Sequence, residues 1–156
     1  MADEIEQLYR RRASHLIGMS EWLVGSRAHA EEIVHDVFGN LLARPPALRG
    51  DQSLDAYVRR AVVNGGNTML RRRILERRHA TTDRSEVNDT YADEPVRVAV
   101  RGLPLRQRQC VVLRFYEDLS VDQIARDLGM RPGTVKSHLH RALVTLERRL
   151  AEGAHL

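Results

Sequence analysis

Apolar residues recur along the chain at steps of three and four, the period of an amphipathic helix, and no stretch alternates as a strand does. The pattern predicts an all-α fold. In the first half we expect helices over about residues 3–24, 28–43 and 54–78, with the Gly25-Ser26 pair separating the first two and Pro45-Pro46 ending the second. Their predicted buried positions include Ile5, Leu8, Ala13, Leu16, Ile17, Leu23, Ala30, Ile33, Val34, Val37, Phe38, Leu41 and Leu42. Gly65-Gly66 lies inside the third helix at a cost of about 1 kcal/mol per glycine, which predicts close packing or a local bend.

The second half contains four helical patterns. An amphipathic segment follows Pro95, and Pro104 sits at the predicted first position of a helix reaching about Glu117. Ser120, with Gln123 three residues later, forms a capping-box pattern that opens a short helix ending at Gly129. A last helix is predicted from Pro132 to about residue 151.

Residues 80–94 between these halves are polar and acidic and lack apolar periodicity. The charge follows the same division. Residues 1–78 hold 13 basic and 10 acidic side chains, residues 79–96 hold one and five, and residues 97–156 hold 11 and six. The sequence therefore predicts two small helical modules, 1–78 and 97–156, joined by a flexible acidic linker over 79–96.

Composition excludes several classes of protein. The 156 residues are 42% hydrophobic and 29% charged, which suits folded modules, and no apolar run approaches the roughly 18 residues of a membrane span. No secretory signal is apparent, so we expect a cytoplasmic protein. A lone cysteine, Cys110, rules out an internal disulfide and a cysteine-based zinc site. His138 and His140 lie about 200° apart on a helix, and no catalytic motif occurs, so we expect no metal, no cofactor and no enzyme activity.

Residues 120–143 carry the strongest local signal, that of a helix-turn-helix. Ala125 is the small residue needed where two helices touch, and Gly129 suits a turn with positive φ. The last helix has an apolar face predicted to be buried, formed by Val135, Leu139, Ala142, Leu143, Leu146 and Leu150. The opposite face carries Lys136, Ser137, His140 and Arg141, and such a donor-rich face is typical of a helix that enters the DNA major groove. Solvated surface is the alternative interpretation.

Residues 30–73 carry a second pattern, in which an acidic helix is followed by a basic one. The first has Glu31, Glu32 and Asp36 around an apolar stripe, and residues 59–78 hold seven arginines against one glutamate. A basic helix of this kind indicates contact with a polyanion, although it could equally be a solvated face of a small bundle.

With these patterns in place, the chain resembles a bacterial extracytoplasmic-function (group IV) RNA polymerase sigma factor of the sigma-70 superfamily. The resemblance rests on EEIVHDVF at 31–38, LRGDQSLDAYVRRAVVN at 48–64 and LPLRQRQCVVLRFYEDLSVDQIA at 103–125. It spans nearly the whole chain, with a region-2-like module followed by a region-4-like module. The order and separation of the two modules make it specific.

The resemblance implies three groups of functional residues and a set of partners. Docking on the clamp coiled coil of the polymerase largest subunit would use Ile33, Asp36, Val37, Asn40 and Leu41. At the minus-10 element a base would be flipped into a pocket of the 48–54 loop, where Asn64 would read it. The residues implied in opening and reading this element are Leu48, Ser53, Arg59, Arg60, Asn64, Asn67, Arg71 and Arg72. The minus-35 duplex would be bound by Arg131, Thr134, Lys136, Ser137, His140 and Arg141. Core RNA polymerase (clamp and flap) and promoter DNA are the implied partners, and an anti-sigma factor is a further one.

Three departures from the family pattern affect this assignment. His35 stands where a glutamine is frequent, and Leu48 stands where an aromatic is frequent beside the flipped-base pocket. Gly65-Gly66 stands where bulkier small residues are usual. A stand-alone helix-turn-helix regulator that binds an operator is the alternative function. The basic surface at 59–73 argues against it, because a sensing or dimerising module needs no second nucleic-acid surface.

Overall fold

The computed structural model describes residues 1–79 and 94–153. Within them the backbone forms seven α-helices and no strand, which confirms the all-α prediction: α1 (Ala2–Val24), α2 (Arg27–Ala43), α3 (Leu54–His79), α4 (Pro95–Arg101), α5 (Leu105–Val111), α6 (Val121–Leu128) and α7 (Pro132–Gly153). The chain divides into two compact units, Met1–Val87 and Asn88–Leu156. Most of the predicted acidic linker, residues 80–93, lies outside the described residues.

The first unit is a bundle of α1, α2 and α3. Gly25 ends α1 in the left-handed region at φ 83°, and its N–H donates to the carbonyl of Glu21 at 2.8 Å. Ser26 then caps α2 by accepting a hydrogen bond from the N–H of His29 at 3.3 Å. Leu42 was predicted to be buried but is 55% exposed, because it is turned about 100° away from Leu41, whose side chain is buried in the bundle. Apart from Leu42, the half-buried Ala13 and the half-buried Val37, the predicted apolar positions of α1 and α2 form the core.

One ion pair ties α3 to α1, and a local cap begins the helix. Arg12 of α1 donates from Nε to Oδ1 of Asp55 at 3.0 Å, in the first turn of α3. Ser53 caps the same turn, with Oγ accepting from the N–H of Ala56 at 3.0 Å. Farther along, a β-carbon placed on Gly65 would stand 2.9 Å from Cγ2 of Ile33. The glycine pair of α3 therefore marks a close approach of neighbouring helices.

The second unit packs α4, α5 and α6 against α7. Helix α5 begins at Leu105, one residue later than predicted, and Pro104 is its N-cap. The helix that was expected to continue to Glu117 changes at Val112 into a π-helical turn, in which the N–H of Glu117 reaches the carbonyl of Val112 at 3.2 Å. Leu103, Val111 and Ala142 form one buried cluster, with Leu139 and Leu146 packed against it.

A half-buried arginine, Arg108, ties the end of α4 to α5. Arg108 donates from Nη2 to the carbonyls of Arg101 at 2.9 Å and Leu103 at 3.2 Å, where α4 ends. Burial, and secondarily the charge of Arg101, lowers the pKa of Arg108. No helix in the described part of the chain is long and apolar enough to cross a membrane.

Candidate nucleic-acid interface

The helix-turn-helix of the second unit forms around two local devices. Ser120 and Gln123 make both hydrogen bonds of a capping box, from the N–H of Ser120 to Oε1 of Gln123 at 2.9 Å and from the N–H of Gln123 to Oγ of Ser120 at 3.1 Å. At the other end of α6, Gly129 takes φ 66°, and the N–H of Met130 donates to the carbonyl of Ala125 at 3.0 Å. Ala125 is a small, buried residue, which lets α7 approach α6 closely after the turn.

One buried residue anchors the start of α7. Val135 is fully buried, while its neighbours on both sides are exposed. All six residues predicted to contact the minus-35 element are exposed: Arg131, Thr134, Lys136, Ser137, His140 and Arg141. They form a face with three cations and several hydrogen-bond donors, which has the chemistry of base-edge and phosphate contact.

One residue of the predicted apolar face of α7 lies elsewhere. Leu143 is 45% exposed, whereas Val135 and Ala142 are fully buried and Leu139, Leu146 and Leu150 are half-buried. Successive residues on a helix are turned by about 100°, so residues seven apart point in almost the same direction. Val135 and Ala142 are seven apart and mark the centre of the buried face. Leu143 falls at the edge of that face and remains in solvent.

In the first unit, a groove of about 1110 Å³ runs between α2 and α3. Its α2 wall holds all five residues predicted to dock polymerase: Ile33, Asp36, Val37, Asn40 and Leu41. Ile33 and Leu41 are buried at its base, Val37 is half-buried, and Asp36 and Asn40 are exposed. This wall is thus an apolar strip with polar groups along its rim.

The opposite wall belongs to α3 and carries a different charge. Asn64 and Arg72 of the predicted minus-10 set line it, with Arg73 beside them, while Glu32 and Asp36 stand on the α2 side. Carboxylates repel phosphate and arginines attract it. The α3 wall is therefore the more cationic of the two, although Glu76 on it and Arg44 at the end of the α2 wall narrow the difference.

The remaining residues of the predicted minus-10 set differ in their exposure. Ser53, Asn64, Arg71 and Arg72 are exposed, and Leu48, Arg60 and Asn67 are half-buried. Arg59 was predicted to reach the DNA backbone, but it is only 8% exposed. It precedes Val62 and Val63, which are both buried, by three and four residues, and so it lies on the inner face of α3. Arg59 is therefore better placed to hold the module together than to reach a phosphate.

Sequence reasoning passed over Tyr57, which lines the same groove and is 40% exposed. It precedes Asn64 by seven residues on α3, and this spacing puts both on one helix face. That spacing was the available signal. The described residues contain no cluster of histidine, cysteine, aspartate or glutamate suited to a metal ion.

Comparison with known proteins agrees with this geometry. Residues 93–146 match the family profile described as "Sigma-70, region 4". The chain is 32% identical over 154 residues to the RNA polymerase sigma-E factor of Streptomyces antibioticus, covering 94% of this chain and 84% of the relative. It is 31% identical over 152 residues to the sigma-E factor of Streptomyces coelicolor, at 94% and 86% coverage. It is also 29% identical over 149 residues to the ECF RNA polymerase sigma factor SigM of Mycobacterium tuberculosis, at 93% and 76%.

Among solved structures, the fold resembles the sigma factor RpoE of Bartonella quintana, crystallised with the anti-sigma factor NepR. The TM-score is 0.77 at 19% identity, covering 97% of this chain and 98% of that one. These findings define a sigma-70-type transcription factor. More closely, the chain belongs to the extracytoplasmic-function class of RNA polymerase sigma factors.

Proposed function

We propose that this chain directs promoter-specific initiation by docking core RNA polymerase with α2, reading the minus-10 element with α3 and reading the minus-35 element with α7. Residues 1–78 would act as the region-2-like domain, residues 97–156 as the region-4-like domain and residues 79–96 as the linker. The observation that carries the proposal is the exposed face of α7, where six predicted DNA contacts surround the buried anchor Val135.

The α2 wall of the groove suits the clamp coiled coil of the polymerase largest subunit. A coiled coil buries its apolar a and d positions and presents mainly charged and polar side chains outside. The exposed Asp36 and Asn40 would pair with such side chains, and the half-buried Val37 would pack against their alkyl stems. The acidic side chains of this wall also discourage DNA from occupying it. Docking by α2 would leave the α3 wall to the promoter.

The minus-10 element would be held on α3. Asn64 offers a donor and an acceptor for the edge of an extruded base, and Arg71 and Arg72 offer exposed cations to the backbone of the strand. Extruding a base costs a few kcal/mol, which hydrogen bonds to its edge and stacking must offset. Tyr57, at the same groove, provides an aromatic ring for stacking, and Leu48 in the loop before α3 provides an apolar contact.

The minus-35 duplex would receive α7 in its major groove. Lys136, Ser137, His140 and Arg141 would face base edges, while Arg131 and Thr134 at the start of the helix would hold phosphates. The polymerase flap would hold this unit in place during initiation. The role is one of binding and needs no catalytic group or cofactor, and it would be performed in the cytoplasm, where polymerase acts. An anti-sigma factor would silence the chain by covering its docking surfaces.

Reconstituted transcription tests this proposal. Core polymerase is assayed on a library of promoters with and without the full chain, and specific initiation is expected only when the chain is present. In parallel, the chain alone is titrated onto the same duplexes, where we expect weak binding that falls steeply with salt. Tight operator binding by the chain alone, without any effect on polymerase, would instead establish the stand-alone regulator.

A further inference from the structure

The groove between α2 and α3 is closed at its base by the approach of Gly65 to Ile33. A β-carbon on Gly65 would stand 2.9 Å from Cγ2 of Ile33, whereas carbon atoms in contact ordinarily lie about 3.5–4.0 Å apart. Ile33 is only 7% exposed, so its side chain is enclosed by the bundle. Any residue larger than glycine at position 65 must move Ile33 or move the two helices apart.

Backbone conformation does not account for this glycine. The described glycines with positive φ are Gly25, Gly50 and Gly129, and Gly65 is a helical residue in the middle of α3. There glycine costs about 1 kcal/mol of helix stability relative to alanine. The close approach is the feature that requires it.

The two residues at this contact belong to different functional walls. Ile33 lies in the wall proposed to dock polymerase, and Gly65 directly follows Asn64, which is proposed to read the extruded base. Packed interiors transmit small displacements instead of absorbing them. A shift at this contact would therefore reach both the docking strip and the base-reading asparagine.

We propose that Gly65 is a positioning residue that sets the separation of the two groove walls, and thereby links polymerase docking on α2 to base reading by Asn64 on α3. This inference rests on the proposed function. It predicts that the separation of the walls governs minus-10 discrimination independently of how stable the first unit is.

A size-complementation cycle tests it with the full chain and core polymerase. Gly65→Ala adds the methyl group, and Ile33→Leu removes Cγ2 while conserving side-chain volume, since leucine is not branched at Cβ. The double variant should thus restore room at the contact. Gly39→Ala serves as the matched control, because Gly39 also lies inside a helix of the first unit and its added methyl group would meet nothing within 4 Å.

Three quantities are measured for each variant: affinity for core polymerase, the ratio of open-complex formation on matched and minus-10-substituted promoters, and the melting temperature. Gly65→Ala is expected to reduce the discrimination ratio by about five- to tenfold, a typical size for the coupling of contacting residues. The double variant should return to within about twofold of Ile33→Leu. The control Gly39→Ala should match the wild type in polymerase affinity and in the discrimination ratio, and it should melt at a slightly higher temperature because alanine is the better helix former.

Three results would overturn the inference. These are an unchanged ratio in Gly65→Ala, a double variant that stays as impaired as Gly65→Ala, and losses that track only the folded fraction given by the melting curves. A wild-type chain that supports no promoter-specific initiation would instead refute the proposed function. The two failures are therefore distinguishable.

Discussion

Alanine substitution at two glycines of the helix-turn-helix would separate the effect of backbone conformation from that of packing. Gly129 and Gly133 lie on either side of the start of α7, and an added methyl group would meet no atom within 4 Å at either position. Only Gly129 has a left-handed backbone, at φ 66°. The two substitutions should therefore change stability in opposite directions.

The size of each effect follows from the backbone. Alanine at Gly129 carries a left-handed cost of about 1–2 kcal/mol, offset by about 0.4–1 kcal/mol because the unfolded chain loses freedom. The second unit therefore loses up to about 1.5 kcal/mol, and about 0.8 kcal/mol at the middle of both ranges. Alanine at Gly133, inside a helix, gains up to about 1 kcal/mol from helix propensity. The two variants should differ by about 1–2 kcal/mol.

Amide hydrogen exchange at Leu139 and Ala142 would measure this difference, since both residues lie on the packed side of α7. Fluorescence of Trp22, the only tryptophan and a residue of α1, would report on the first unit and should be unchanged in both variants. A Gly129→Ala protein at least as stable as the wild type would refute the requirement for a left-handed turn.

Further predictions concern single side chains. Ser120→Ala should destabilise α6 by about 1 kcal/mol by removing the cap of Gln123, and this loss is measurable by hydrogen exchange in α6. Burial raises the pKa of Cys110 from 9.0 to about 11, opposed by the charge of Arg106. The thiol ionises at a lower pH in the unfolded chain than in the folded one, so the free energy of unfolding should be retained below pH 9 and fall between pH 9 and 11. Denaturation of Cys110→Ala at each pH should show a shallower decline in that free energy. Arg141→Ala should weaken minus-35 discrimination by about 1–3 kcal/mol in competition binding with polymerase holoenzyme. Asn64→Ala should leave affinity for core polymerase unchanged while impairing promoter opening, as followed by permanganate reactivity; normal opening would refute the assignment.

Local rules predicted most of the fold. Helix ends follow from caps and breakers that act within a few residues, so Gly25-Ser26, Pro45-Pro46, Ser120 and Gly129 placed the ends between α1 and α2, after α2 and around α6 to within one residue. The helix-turn-helix was predicted for the same reason, since its turn, its cap and its contact alanine are adjacent in sequence.

Features that depend on distant residues were not predictable in this way. Leu42 and Leu143 have the right period but lie at an end or an edge of their packed faces, which periodicity alone does not reveal. The burial of Arg59 and the π-helical turn at 112–116 depend on what packs around them. The groove itself requires α2 and α3 to meet, so Tyr57 gained significance only once the groove was seen.

The exposure of Lys136 on α7 has a practical consequence, because the other 24 basic residues of the chain are arginine. An amine-selective reagent can modify only this side chain and the amino terminus. A single cut by a lysine-specific protease, or the one side-chain label that remains once the amino terminus is blocked, would therefore fall within the helix proposed to read the minus-35 element. Its protection in a footprinting experiment would report directly on occupancy of that helix.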